Sequence, residues 1–301
     1  MWTQPTEGGN VVAVAFAPGG GTLYAQDSER GYTAWDLATR TGRRLFADPE
    51  TVGESRQVTN HFPRLFVSPD GRFLVANTAP PIVWDMATGA VHATVPDEHA
   101  FAGVSAGGGG TRVECVTRDW LGIATWDFVR RQPGPEFRGW PASGTIKTHH
   151  FDRHGRRVAL LGWDEAVTVC DAATREVVRS IPPAAGRVLQ HCRFTPDGEA
   201  LVLYEGDAVS VWDLTTGKPR AARVACDRPY WLFAFHPTQP LAAARRRGGL
   251  LALIDLRTGR DVRVLDLGLG ANLICAAFSP DGLTCAVGGS EGRFALIDVD
   301  A

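Results

Sequence analysis

Leu273-Ile274-Cys275-Ala276-Ala277-Phe278-Ser279-Pro280-Asp281-Gly282 opens a unit that reads as three short strands and two turns, closing at Asp298. The apolar run from Leu273 to Phe278 is the first strand. In Ser279-Pro280-Asp281-Gly282 the proline presets φ at about −65° and the glycine accepts positive φ, so the tetrapeptide is a tight turn. Cys285 to Val287 is the second strand, Gly288 to Gly292 the second turn, and Phe294 to Ile297 the third strand.

Working outward, the same unit recurs along the chain. Its first turn reappears at Phe16-Ala17-Pro18-Gly19-Gly20, Phe66-Val67-Ser68-Pro69-Asp70-Gly71, Phe194-Thr195-Pro196-Asp197-Gly198 and Phe235-His236-Pro237. It is degenerate at Val104-Ser105-Ala106-Gly107-Gly108 and Phe151-Asp152-Arg153-His154-Gly155. Third strands end on Asp36, Asp85, Asp127, Asp171, Asp213, Asp255 and Asp298, at intervals of 49, 42, 44, 42, 42 and 43 residues. Trp35, Trp84, Trp126 and Trp212 precede four of these aspartates. A period in the low forties marks a radial array of four-stranded blades. The aspartates read as turn caps, because an Asp side chain accepts hydrogen bonds from backbone amides just beyond it.

Four Trp-Asp pairs, seven aspartates in register and the Phe-x-Pro-Asp-Gly turns resemble the WD-repeat β-propeller family over nearly the whole chain. The resemblance implies an all-β fold, a seven-bladed β-propeller of four-stranded antiparallel blades. In that family each repeat begins with the outer strand of one blade and continues with three strands of the next. The outer strand of blade seven is therefore expected from the amino terminus, around Trp2 to Gln4, closing the ring. The repeat leaves no room for a second domain, so residues 1–301 are read as one propeller domain.

The bulk numbers are compatible with this. With 44% hydrophobic residues the chain can bury a large core, and a net charge of −2 argues against a general nucleic-acid binder. The first ten residues lack the succession of a signal peptide, and no apolar run is long enough to cross a membrane, which points to the cytoplasm. Cys115, Cys170, Cys192, Cys226, Cys275 and Cys285 include no CxxC pair and read as reduced, buried thiols. Cys275 and Cys285 lie on strands expected to pair, so a disulfide there is the alternative.

Chemical motifs are sparse. Gly103-Val104-Ser105-Ala106-Gly107 matches G-x-S-x-G, but that motif works on a strand-to-helix turn, and here a strand follows. Ser105 reads as part of a hairpin turn. His149, His150, Asp152 and His154 form the densest group of metal-ligand types, yet alternation along a strand sends His149 and His150 to opposite faces. No metal or cofactor is expected, and no acid–base pair suggests an enzyme.

The regular turns all fall at one end of the propeller. The other end carries connections of irregular length, such as 47–61 and 131–144, and variable loops on a rigid scaffold are where binding resides. That end collects Arg245, Arg246 and Arg247, with Tyr230 and Trp231 at the start of the same blade, and Trp120 and Trp163 in equivalent turns of blades three and four. Trp140 lies in a nearby long connection. These residue types dominate binding hot spots. The expectation is a non-catalytic protein-interaction scaffold or subunit, monomeric by itself, that binds a partner protein on the irregular face. The alternative is an enzyme or small-molecule binder at the mouth of the central channel, using Lys147, His149, Gln190 and His191.

Overall fold

The computed structural model describes residues 1–5, 9–47, 65–76, 81–95, 106–107, 112–117, 119–141, 144–183, 186–220, 223–227 and 233–300. Short apolar runs buried on both faces and glycine-containing turns build them into seven antiparallel sheets, one per repeat. Blade one consists of Val11–Phe16, Thr22–Asp27, Gly31–Asp36 and Thr41–Ala47, and blade two of Leu65–Val67, Phe73–Ala76, Ile82–Asp85 and Ala90–Thr94. Blade three has Ala106–Gly107, Arg112–Val116, Gly122–Asp127 and Gln132–Pro133, with Phe137–Arg138 also pairing its third strand. Blade four runs Ile146–Phe151, Arg157–Gly162, Val167–Asp171 and Val177–Ile181. Blade five runs His191–Phe194, Ala200–Tyr204, Ala208–Asp213 and Val224–Ala225. Blade six follows with Phe233–Phe235, Leu241–Arg246, Leu250–Asp255 and Arg260–Leu265.

Blade seven contributes Leu273–Phe278, Thr284–Gly289 and Arg293–Asp298, and its outer strand is Trp2–Pro5 from the other end of the chain. Trp2 pairs with Leu296 and Pro5 with Arg293, as the closure expected from the sequence requires.

The core is divided into layers, each between two neighbouring blades. One layer joins blades six and seven through Leu253, Leu273 and Val287, and others follow round the ring. The last lies between blades seven and one, where Val11, Leu23, Trp35, Ala286 and Phe294 meet with Trp2 against them. Trp2 stands edge-on to Trp35 at 6.5 Å and to Phe294 at 5.8 Å, and the Arg40 guanidinium lies over its ring. The closing strand is thus anchored by an aromatic side chain as well as by its backbone ladder.

All seven repeat aspartates cap their turns. Thr39, Ala87, Arg130, Ala173, Thr215, Arg257 and Asp300 each donate a backbone N–H to the aspartate two or three residues before it. The Thr216 amide, then Arg220, holds the Asp213 carboxyl down at about 2. The turn between first and second strands has its own cap: Ser279 donates to Asp281 at 2.5 Å and accepts from the Thr284 amide at 3.0 Å. Ser68 and Asp70, and Thr195 and Asp197, repeat this pairing. Gly282 sits at φ +79° with its Cα against His236 of blade six, where a Cβ would come within 2.2 Å of the imidazole. That position admits only glycine on both counts.

The five cysteines whose side chains are described, Cys170, Cys192, Cys226, Cys275 and Cys285, are free thiols. Cys275 faces Gly288 across the ladder while Cys285 faces Phe278, so the two are three pairs out of register and cannot bridge.

Trp2→Ala should lower the unfolding free energy by about 2–3 kcal/mol, somewhat less than a fully buried aromatic truncation because the indole is half-buried. Urea denaturation beside Thr3→Ala, whose side chain is exposed, checks this. Equal midpoints for the two variants would show that the aromatic anchor does not hold the ring closed.

Candidate functional site

Two repeated backbone hydrogen bonds define the two ends of the propeller. At the regular end, the residue after the repeat aspartate bonds back to the first turn in six described blades, as Leu37 does to Gly21, Met86 to Arg72 and Leu214 to Glu199. At the opposite end, the turn between second and third strands bonds to the entry of the inner strand: Ser28 to Asn10, Trp163 to Thr145 and Ser290 to Asn272. The candidate surface lies at this second end.

There the structure brings Trp120 and Trp163 together, ring centroids 5.8 Å apart and planes at 82°. Trp120 is partly buried against the layer between blades three and four. Its backbone is left-handed, at φ +62°, as is that of Glu165 in the next blade at +65°, whereas blade seven has Gly292 in the corresponding turn. Holding a bulky side chain in that region costs of order 1 kcal/mol, which the packing of Trp120 offsets. Trp163 is 56% exposed. The neighbouring Leu121 is 51% exposed, and Val188, entering blade five, is 64% exposed. Val188 sits beside Leu189, whose amide donates to Glu165 at 2.5 Å. The three apolar side chains therefore stand on three successive blades.

Beneath them runs a belt of ion pairs. Lys147 Nζ lies 2.9 Å from Glu165 Oε1, 2.6 Å from the Leu189 carbonyl and 5.3 Å from the centre of the Trp163 ring. Arg223 bridges the buried Glu205 and the exposed Asp207. Arg245 is only 5% exposed; it pairs with Asp227 at 2.7 Å and donates to the Leu273 carbonyl of blade seven at 3.4 Å. Its guanidinium therefore joins blade six to blade seven and is not offered to solvent as the sequence reading expected. Arg246 is committed to Asp261 and lies near the Cys226 sulfur, leaving Arg247 as the exposed member of the triplet. Tyr230 and Trp231 lie outside the described residues. Trp140 is buried, its indole N–H donating to the Phe137 carbonyl at 3.2 Å.

The channel candidates differ in exposure. His149 and His191 are buried within the walls between blades, Gln190 is exposed, and Lys147 is held by Glu165. His149 Nε2 stands 4.0 Å from the buried Glu114 carboxylate. His150 lies on the other face of the strand, its Nδ1 accepting the Phe194 amide at 3.3 Å. Asp152 caps the Arg156 amide and pairs with Arg157, and His154 is exposed. Ser105 lies outside the described residues.

The exposed Leu121 and Val188 were not singled out by sequence reasoning. Each is one aliphatic residue beside a turn, with no pattern to separate it from a core position.

No protein family's sequence profile matches the chain. Solved structures do. The chain is similar to the hydrazine synthase of Kuenenia stuttgartiensis, with a TM-score of 0.70 and 15% identity, covering 98% of this chain and 97% of that one. It is equally similar to the β-propeller domain of Cps50 (Swd1) from Myceliophteria thermophila, with a TM-score of 0.70 and 18% identity over 98% and 99% of the two chains. At these identities the likeness defines the class, a seven-bladed β-propeller. As many as 1790 solved chains match, so the fold alone selects no function.

Burial pushes the His149 imidazole down to about 4, and burial followed by the charges of His150 and Arg193 pushes His191 well below the usual range. Both are therefore neutral when folded at pH 7, while the unfolded chain takes up protons at about 6.5. Stability from this source is complete above about pH 6.5 and is lost as pH falls towards 4, at about 1.4 kcal/mol per pH unit for each histidine. Urea midpoints measured from pH 7.5 to 5 should fall along this slope, and His149→Gln should flatten it. A midpoint independent of pH over this range would contradict the burial of the two rings.

Proposed function

We propose that this chain is a non-catalytic interaction module, a scaffold or subunit that holds a partner protein on the irregular-loop end over blades three to five. The observation that carries this reading is the exposure of Trp163, Leu121 and Val188 on three successive blades. Large apolar side chains grouped on a rigid surface mark interaction sites, and tryptophan is the residue type most enriched at binding hot spots. Trp120 and the Lys147–Glu165 pair beneath fix the Trp163 ring, so little side-chain freedom is lost when a partner covers it.

Arg247 extends the surface towards blade six, where Tyr230 and Trp231 are the further contributors proposed from sequence. Residues 1–301 act in this reading as one unit, monomeric alone and working in the cytoplasm. No helix among the described residues is long and apolar enough to cross a membrane. One propeller similar to this chain belongs to a hydrazine synthase, so fold likeness is neutral on catalysis. The exposed side chains are what favour binding.

Trp163→Ala and Val188→Asp, separately and together, should cut partner capture in affinity purification with quantitative mass spectrometry by on the order of tenfold or more, as loss of a hot spot does. The thermal midpoint should change little, because both side chains are more than half exposed. Arg245→Ala is the contrasting variant: it removes a buried ion-pair partner and should cost about 3 kcal/mol of stability. Capture that is unchanged in the Trp163 and Val188 double variant would sink the proposal.

A further inference from the structure

We propose that the outer strand of blade one, Thr41–Ala47, is a second docking edge, which takes an extended acidic segment of a partner protein as an added fifth strand. At seven residues it is the longest strand among those described. It ends its sheet, bonding Gly31–Asp36 on one side, and no described strand pairs with its other side. The chain holds it firmly from within. The Phe46 ring stacks on Trp84 of blade two with centroids 3.9 Å apart and planes at 15°, and it lies 5.1 Å from Tyr32. The ladder slips by one residue at Leu45, between the pairs Tyr32–Phe46 and Thr33–Arg44. Leu45 and Phe46 are half-buried, whereas Thr41 to Arg44 are exposed. A rigid, exposed edge with free amides and carbonyls is a template for strand addition.

Charge selects what would add. On the outer strands of blades four and six, Arg179 and Arg263 are bound to the next blade. Arg179 donates to the Leu214 and Thr215 carbonyls at 3.0 and 2.7 Å, and Arg263 donates to the Asp298 carbonyl at 3.1 Å. In blade one the corresponding cations are not so committed. Arg44 reaches the buried Asp27 only at 4.0 Å, and Arg40 lies over Trp2 without a carboxylate. Arg43 has no hydrogen bond or ion pair among the described residues. Two copies of this edge would bring arginine against arginine, which disfavours self-pairing. An acidic strand would meet the same cations as partners and complete the amide ladder. Nucleic acid offers the negative charge without a strand-like backbone, so the edge favours a peptide.

The test uses the full chain and a labelled peptide of about eight residues alternating Glu and Thr, long enough to pair with the whole edge. Three comparison probes accompany it: the peptide with Lys for Glu, the peptide with Pro for Thr, and a single-stranded oligonucleotide of equal charge. Saturable binding of the Glu–Thr peptide is expected, with slowed hydrogen exchange at the Thr41–Ala47 amides. Arg43→Glu should weaken it on the order of tenfold, as reversal of a contacting charge does, while leaving the thermal midpoint unchanged. Equal binding of the proline peptide would overturn strand addition, since proline cannot donate to a ladder. Tighter binding of the oligonucleotide, no effect of Arg43→Glu, or no binding at all would overturn the acidic-peptide assignment.

Discussion

The structure depends on one constraint: every blade buries both faces of its sheet against its neighbours. A four-stranded sheet with two apolar faces is insoluble alone, and a ring is an arrangement that covers all of them without a terminal sheet. The layers between successive blades meet this need, and the one between blades seven and one is where the ring closes. Its aromatic cluster of Trp2, Trp35 and Phe294 joins residues nearly three hundred positions apart. Because burying an aromatic side chain contributes several kcal/mol, closure is a packing event as much as a pairing of strands.

This constraint explains how the polar groups are distributed. At the regular end, the aspartate caps and the backbone bonds between turns stay within one blade, and arginines such as Arg157, Arg179 and Arg263 tie each blade to a carbonyl of the next. At the irregular end, cationic side chains donate hydrogen bonds across to the next blade: Lys147 to the Leu189 carbonyl and Arg245 to that of Leu273. Charged side chains there replace some of the apolar layer at the rim. They also leave Trp163, Leu121 and Val188 above them, held by neighbours but not covered.

Much of the fold was legible in the sequence because the turn chemistry is local. An aspartate that must cap an amide two or three residues later, and a glycine that must adopt positive φ, leave a mark at every repeat whatever surrounds them. Asp298 and Gly282 carried that information without any knowledge of the other blades. The candidate site was less legible, since arginine looks the same in sequence whether it is solvated or buried in an ion pair. Arg245 and Arg247 are two residues apart and have opposite fates, decided by Asp227 and the Leu273 carbonyl.

The sequence by itself determined the seven repeats, the strands and turns of those with regular turn motifs, and the end at which regularity breaks down, whereas Ala106–Gly107, read as part of a turn, is a strand. Those features follow from periodicity and from backbone conformations that few residues tolerate. Only the tertiary structure decided which side chains at that end face the solvent. It paired Trp120 with Trp163, buried His149, His191 and Arg245, and set no described strand beyond Thr41–Ala47. Exposure depends on what the next blade brings alongside, and that neighbour lies about forty residues away in the chain.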